Sequence, residues 1–224
     1  MKFIKYIPLI AFLVTVHNTS AQLRPGIEAG ANYSTFSLTN TNNGNQYIPG
    51  FHVRAVAEFV LNDLFSLESA VGYTTRGYKY YDETSASIFG YSTSSVSEGY
   101  EKINYLNLPI LFKAGKAIGE SRVYVGVGPD VYFALNGKYQ NKTTTTISGN
   151  ETINESKGSI DFKNDNVNKF DLAAKGIIGF EKNGIYIQAC YEHGFIDIDN
   201  DPNTNVYKLN RNISLTLGFK LGGY

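Results

Sequence analysis

The segment VYVGVGPDVYFAL at residues 123–135 alternates between two kinds of side chain. Its odd-numbered positions are apolar and mostly branched or aromatic, whereas its even-numbered positions include Gly126, Gly128 and Asp130. This period of two indicates a β-strand whose faces meet different surroundings. A face in contact with water would normally carry Lys, Glu, Thr or Ser. We therefore expect the glycine and carboxylate face to line a narrow interior and the apolar face to contact lipid.

The composition favours a single β domain over other classes of protein. The 224 residues include Tyr 17, Phe 14 and Gly 22 but no Trp, which is a composition rich in strand formers. Lys+Arg 20 balance Asp+Glu 20, so no net positive charge supports nucleic-acid binding. Cys190 is the single cysteine and cannot form an internal disulfide.

The first residues have the pattern of an export signal. Lys2 and Lys5 precede an apolar stretch at 7–16, and the small residues Thr19-Ser20-Ala21 form a cleavage site. We predict a signal peptide at 1–21 and a mature domain at 22–224. No later apolar run reaches the roughly 18 to 20 residues of a transmembrane helix.

Eight segments alternate with period two, and most are long enough to cross a bilayer as tilted strands. They lie at 24–38, 49–61, 66–80, 100–115, 122–138, 167–181, 185–198 and 208–222.

The connections between these segments alternate strictly in length. Short ones lie at 61–65, 116–121 and 182–184, and long polar ones at 39–48, 81–99, 139–166 and 199–207. Short turns at one rim and long loops at the other are typical of an outer-membrane barrel. The sequence therefore predicts an all-β fold, an eight-stranded antiparallel up-and-down transmembrane β-barrel. We expect its long loops to be exposed and to offer no core residues.

The same phase assigns charged residues of both signs to the barrel interior, where they can pair. On the lipid face a Lys or Arg at mid-depth would cost about 2 to 4 kcal/mol. The predicted polar network of the lumen consists of Glu28, Arg54, Glu58, Glu68, Arg76, Lys113, Asp130, Asp171, Lys175, Glu192 and Lys220. Pro109 and Pro129 have no backbone N–H to donate to a neighbouring strand, so we expect a β-bulge at each. Beyond each bulge, the assignment of residues to the inward and outward faces would shift by one.

Tyrosine and phenylalanine residues cluster near the predicted strand ends, as in interfacial girdles. The predicted girdle at the long loops contains Tyr73, Tyr78, Tyr80, Tyr81, Tyr100 and Tyr105, and the girdle at the short turns contains Phe59, Phe65, Phe180 and Phe219.

Several strands together resemble the PorT-like outer-membrane β-barrel family. The resemblance is carried by YLNLPILFKAG (105–115), residues 123–135, FDLAAKGIIGFE (170–181), IYIQACYEHGF (185–195) and the closing LTLGFKLGGY (215–224). It implies residence in the outer membrane of a Gram-negative bacterium, in contact with outer-membrane lipid. It also implies that the barrel assembly machinery recognises the last strand during insertion. Family members include secretion-associated barrels.

No motif predicts catalysis, a cofactor or a metal. Gly126-Val127-Gly128 lacks the third glycine of a dinucleotide site, and Asp197, Asp199 and Asp201 open only a weak calcium-loop pattern. His52 is predicted to point inward and His193 outward, on strands far apart, so they do not suggest an enzyme.

Three functions remain open from the sequence. The first is a non-enzymatic barrel that has a structural role or binds a partner, through either its extracellular loops or its lipid-facing wall. The second is a narrow pore for ions or small solutes, which a filled lumen would oppose. The third is a soluble calyx, in which the apolar face would point inward.

Overall fold

The fold consists of antiparallel β-strands joined in chain order. The computed structural model describes residues 22–38, 45–88, 91–199 and 207–222. Within these ranges no helix is long and apolar enough to span a membrane. The strands are β1 (Gln22–Leu38), β2 (Asn45–Gln46), β3 (Ile48–Val60), β4 (Phe65–Ile88), β5 (Tyr91–Ile118), β6 (Ser121–Ile147), β7 (Asn150–Ser159), β8 (Phe170–Lys182), β9 (Ile185–Gly194) and β10 (Lys208–Lys220).

Eight of these strands close into a ring, in the order β1-β3-β4-β5-β6-β8-β9-β10. The ring closes where β10 pairs with β1, from Gly26 opposite Lys220 to Leu38 opposite Lys208. The predicted eight-stranded antiparallel barrel is thus confirmed. The short strands β2 and β7 lie outside the ring and pair with β4 and β6.

Tight turns lie at one end of the barrel, which we call the turn end. They occupy residues 61–64, 119–120 and 183–184, as the sequence predicted. Gly119, Asn183 and Gly184 have positive φ angles of 61°, 52° and 81°. Glycine and asparagine tolerate this conformation, which two-residue hairpin turns require. The predicted signal peptide at 1–21 lies outside the described residues.

The opposite end, the extension end, carries a sheet where long loops were predicted. β4 and β5 stay paired as far as Ile88 opposite Tyr91, and β6 and β7 as far as Ile147 opposite Asn150. The segments 81–99 and 139–166 were predicted as long exposed loops, but most of their residues are paired strands, many of them exposed. These strands leave the barrel with both faces in water, so their polar residues show no apolar period. Their threonines nevertheless favour strands.

Pro109 and Pro129 do not produce bulges, contrary to prediction. The β5–β6 register is the same at Pro109 opposite Asp130 and at Phe112 opposite Val127. A missing donor removes one ladder hydrogen bond but inserts no residue, so the strands stay in phase.

The register of these two strands shifts elsewhere. Tyr105 lies opposite Ala134 but Asn104 lies opposite Asn136, which leaves Leu135 as the extra residue. Beyond Leu135 the inward positions of β6 are odd-numbered, and Gly137 is buried.

The apolar face of each barrel strand points outward. Val123, Val125 and Val127 are 41%, 53% and 62% exposed, whereas Tyr124 is buried. The soluble-calyx hypothesis required these valines to point inward, so it is wrong.

Candidate functional site

The barrel interior is the most distinctive site of the molecule, because it is filled with charged side chains. All of the charged residues that the sequence assigned to it lie there and are buried. They are Glu28, Arg54, Glu58, Glu68, Arg76, Lys113, Asp130, Asp171, Lys175, Glu192 and Lys220.

Glu58 is the centre of a cluster near the turn end. Its Oε2 lies 3.1 Å from Arg24 Nη1 and 2.8 Å from Lys220 Nζ. Its Oε1 lies 3.2 Å from Lys113 Nζ and 3.4 Å from Arg122 Nη1. One carboxylate thus holds four cations, brought to it by β1, β5, β6 and β10.

Two more carboxylates complete this cluster. Glu68 Oε2 lies 2.8 Å from Lys113 Nζ and 2.7 Å from Lys220 Nζ, and Glu181 pairs with Arg24. Buried charges that are surrounded in this way avoid the cost of an unpaired charge.

The sequence did not predict three members of the cluster, namely Arg24, Arg122 and Glu181. Each has the inward phase of its strand, but each lies within three residues of a strand end. At such positions a charged side chain can equally well reach solvent. With these three included, the buried Arg and Lys residues balance the buried Asp and Glu residues.

A second cluster lies nearer the middle of the barrel. Lys175 Nζ is 3.1 Å from Asp130 Oδ2 and 3.0 Å from Glu192 Oε1. Arg76 donates to Glu192 and to the Tyr132 hydroxyl. Its guanidinium also lies over the Tyr132 ring, 3.9 Å from the centroid.

Neighbouring acids are held by their own partners. Arg54 Nε lies 2.5 Å from Glu28 Oε1, and the Tyr186 hydroxyl donates to Glu28 Oε2 at 2.7 Å. Asp171 accepts a hydrogen bond of 2.6 Å from Asn210 Nδ2.

His52 points inward and takes part in a buried polar chain. Its Nδ1 lies 2.7 Å from Asn32 Oδ1 and its Nε2 lies 3.0 Å from Thr216 Oγ1. A hydroxyl, an imidazole and an amide in series can activate a nucleophile in an open site. Here His52 and Thr216 are 2% and 1% exposed, so no substrate reaches them.

A mainly apolar layer closes the interior towards the extension end. Its members are Phe36, Tyr78, Ile103, Tyr105, Tyr132, Ala134, Ile160, Ala173 and Ile198. Tyr78 and Tyr105 belong to this layer and Tyr80 packs against it, so the prediction of these three as girdle residues is wrong. Ile160 belongs to the segment 139–166, which was expected to offer no core residue. A hairpin that folds back over the barrel mouth can place one apolar side chain inside.

Glycines make room for the tyrosines of the interior. Gly179 lies directly opposite Tyr124, and a Cβ on Gly179 would be 2.3 Å from the Tyr124 ring. Gly218 and Tyr186 form the same arrangement, at 2.2 Å. Each large ring therefore lies over a residue that has no side chain.

The two glycines of residues 123–135 have different neighbours. A Cβ on Gly126 would meet the side chains of Ile177 and Lys113, each at 2.9 Å, so this glycine makes room for both. A Cβ on Gly128 would meet the backbone oxygen of Ile110 at 1.9 Å. Gly128 thus permits close approach of β5 and β6.

We expect Gly128→Ala to destabilise the barrel by about 1 to 3 kcal/mol, the usual cost of overpacking. Backbone cannot move aside as a flexible side chain does. The control is Gly176→Ala, because nothing lies within 4 Å of a Cβ at Gly176. Urea unfolding in liposomes measures both variants. Equal stability of the two would contradict the close approach at Gly128.

The acidic residues of the weak calcium pattern have protein partners. Asp197 Oδ1 accepts hydrogen bonds from the backbone N–H of Asp199 at 3.1 Å and of Lys208 at 2.8 Å. Asp199 Oδ2 lies 3.3 Å from Lys208 Nζ. Asp201 lies outside the described residues. No metal-ligating group of three His, Cys, Asp or Glu side chains occurs in the described part of the chain.

Residues 18–200 match the family model described as outer membrane protein beta-barrel domain. The chain belongs to this family. It is therefore a barrel of the bacterial outer membrane. This family assignment is coarser than the PorT-like group that the sequence resembles.

Several solved outer-membrane proteins are similar to this chain at low identity. Ail of Yersinia pestis, solved with the heparin analogue sucrose octasulfate, is 14% identical, with 89% of this chain and 99% of that chain covered and a TM-score of 0.39. OprG of Pseudomonas aeruginosa is 12% identical, with 90% and 95% covered and a TM-score of 0.41. Neisserial surface protein A is 15% identical, with 88% and 97% covered and a TM-score of 0.38. No curated protein matches the chain.

Proposed function

We propose that this protein is a non-enzymatic, PorT-like barrel that binds a protein partner on the cell surface through its β4–β7 extension. Export by a cleaved signal peptide, insertion by the barrel assembly machinery and a role in secretion are parts of the same proposal. Short turns of such barrels face the periplasm, which places the extension outside the cell. The observation that carries the proposal is the open edge of β7.

β7 pairs with β6 and has no strand partner on its other side among the described residues. An edge strand presents unpaired N–H and C=O groups, to which an extended segment of another protein can add. Lys157, Glu151 and Glu155 on this strand are exposed, and such charges discourage indiscriminate pairing. The edge is thus suited to a partner of matching sequence.

The filled interior supports a binding role over the alternative, a narrow pore. Between the two ends lie the Glu58 cluster, the Lys175 cluster and the apolar layer around Tyr105, all buried. An ion crossing this interior would have to displace side chains that are paired with one another. We therefore expect no steady conductance above background from the purified protein in planar bilayers.

Photo-crosslinking in native cells tests partner binding. A photo-reactive residue at Ser156, exposed on β7, is expected to give one discrete protein adduct. The matched variant lacks 144–147 and 150–153. This deletion shortens the β6–β7 hairpin by four residue pairs and keeps its Ser148-Gly149 turn. The register is unchanged because Thr143 pairs with Asn154. Ser156 keeps its partner Asn141, but the adduct should be lost with the outer edge.

The same photo-reactive group at lipid-facing Ile178 should give no protein adduct. An adduct at Ser156 that persists after the deletion, or none in either form, would contradict binding at the β7 edge. A steady conductance would favour the pore instead.

A further inference from the structure

Two lysines lie directly opposite each other on the outer face of the barrel wall. Lys102 on β5 pairs in register with Lys138 on β6. Like charges in this position destabilise a sheet. Neither lysine has an ion-pair partner among the described residues, whereas Lys142 nearby pairs with Glu98 at 3.5 Å. An anion bound between the two ammonium groups would remove this repulsion.

The pair lies just beyond the apolar wall, at the extension end. Leu106, four residues after Lys102 on β5, is 46% exposed, and Phe133, which lies opposite Leu106 on β6, is 51% exposed. Four residues span about 13 Å of strand, or about 10 Å along the membrane normal at a tilt of about 40°. The lysines therefore lie about 10 Å beyond the level of Leu106 and Phe133, on the polar side of the apolar wall.

A groove of about 470 Å³ connects the lysines to the wall, and its lining changes from apolar to polar. It is lined by Pro49, Gly50, Phe51, Tyr73, Thr75, Lys102, Asn104 and Lys138. The Phe51 and Tyr73 rings lie 5.6 Å apart at its apolar end.

Hydrogen bonds fix the polar wall of this groove. Thr75 Oγ1 donates to Asn104 Oδ1 at 3.0 Å, and Asn104 Nδ2 donates to Asn136 Oδ1 at 2.7 Å. These three side chains lie between the apolar residues and the lysine pair. Along the groove, aromatic rings are followed by amides and then by ammonium groups. A membrane lipid has the matching order of acyl chains, then sugar or glycerol, then phosphate.

A second groove of about 410 Å³ lies farther out on the extension, two residues beyond the lysine pair on β5 and β6. Its lining includes Lys79, Tyr81, Tyr100, Gln140 and Lys142. Tyr100 lies directly opposite both Lys79 and Gln140. Glu98 also lines this groove and pairs with Lys142, so the tyrosine rings and the amide suit the uncharged part of a sugar.

We propose that Lys102 and Lys138 bind a phosphate group of a phosphorylated glycolipid in the outer leaflet. The acyl chains lie along Phe51 and Tyr73, and the sugar extends towards Tyr100. This site lies on the outer wall and is distinct from the β7 edge of the proposed partner-binding function. Because the groove opens onto the lipid-facing wall, the phosphate comes from the membrane and not from a free anion.

The test compares the full chain with the double variant Lys102→Gln/Lys138→Gln in zwitterionic detergent micelles. Native mass spectrometry measures retention of lipid A, a bisphosphorylated acylated disaccharide. Each lysine near an anionic lipid contributes to the binding free energy, and loss of both contributions should weaken retention about thirtyfold. The control, Lys116→Gln/Lys182→Gln, removes the same charge from exposed positions at the turn end, and its retention should match that of the unchanged chain.

Thermal unfolding gives a second measurement, in which the effect of the two substitutions on the unfolding temperature should differ with and without lipid A. Without lipid A, the Lys102→Gln/Lys138→Gln variant should unfold at the same or a higher temperature than the unchanged chain, because repulsion is removed. With lipid A, only the unchanged chain and the control should be stabilised. A variant that unfolds earlier in both conditions would overturn the proposal.

Three further probes separate the sources of phosphate. Dephosphorylated lipid A and phosphatidylglycerol should each be retained poorly, and millimolar inorganic phosphate should not displace lipid A. Displacement by inorganic phosphate, equal retention of phosphatidylglycerol, or equal loss in the control variant would each overturn the assignment. The β7 deletion should leave retention unchanged, so this proposal and the partner-binding proposal fail independently.

Discussion

Glu58→Gln is expected to destabilise the folded barrel by about 3 to 5 kcal/mol, the cost of removing one partner from buried ion pairs. Glutamine keeps the volume of the side chain but not its charge. Of the three carboxylates in this cluster, Glu68 and Glu181 would then remain. The cations Arg24, Lys113, Arg122 and Lys220 are themselves all buried. The chain has no Trp, so urea unfolding in liposomes is followed by circular dichroism and by the heat-dependent shift of the folded band in SDS gels.

Glu98→Gln is the matched control for this change. It breaks an ion pair with Lys142 in which both side chains are partly or largely exposed, and exposed pairs contribute about 0 to 1 kcal/mol. Equal losses for Glu58→Gln and Glu98→Gln would show that the interior charges do not stabilise the barrel.

A second change distinguishes the loss of charge balance from a general disturbance of packing. Adding Lys220→Met to Glu58→Gln removes one of the cations left in excess. The double variant should therefore lose less stability than the two single variants together, with a coupling of about 0.5 to 3 kcal/mol, as for residues in one network. Simple additivity would contradict a direct interaction, although Lys220 Nζ lies 2.8 Å from Glu58 Oε2.

The sequence predicted the barrel well because each wall strand has two incompatible environments. A slip of one residue would place Asp130 in lipid and Val127 in the interior, so the period of two fixes the face of every residue between them. The same reasoning identified the charged lumen positions. It failed for Arg24, Arg122 and Glu181, because a charged side chain near the end of a strand can point either into the interior or into solvent.

The remaining errors have different physical causes. The extension has water on both faces, so the threonines of 143–146 show no alternation and their strand propensity was the only available signal. The extra residue at Leu135 and the pairing of Lys102 with Lys138 depend on inter-strand register. A sequence pattern within one strand does not determine which residue lies opposite on the next.

Val127→Lys is expected to destabilise the barrel in a bilayer by about 2 to 4 kcal/mol, because it places a charge on the lipid-facing wall near mid-depth. Val127 is 62% exposed and lies between Phe112 and Gly176 on the neighbouring strands, which offer it no polar partner.

The control for Val127→Lys is Ile118→Lys. Ile118 is 63% exposed, but it is the last residue of β5 at the turn end, where the cost should fall to about 0 to 1 kcal/mol. Urea unfolding in liposomes compares the two. If the outer wall faced water, both changes would lie within about 0.5 kcal/mol of the unchanged chain. Equal stabilities would therefore refute the lipid-facing assignment of residues 123–135, while a loss confined to Val127→Lys would locate the middle of the membrane on β6.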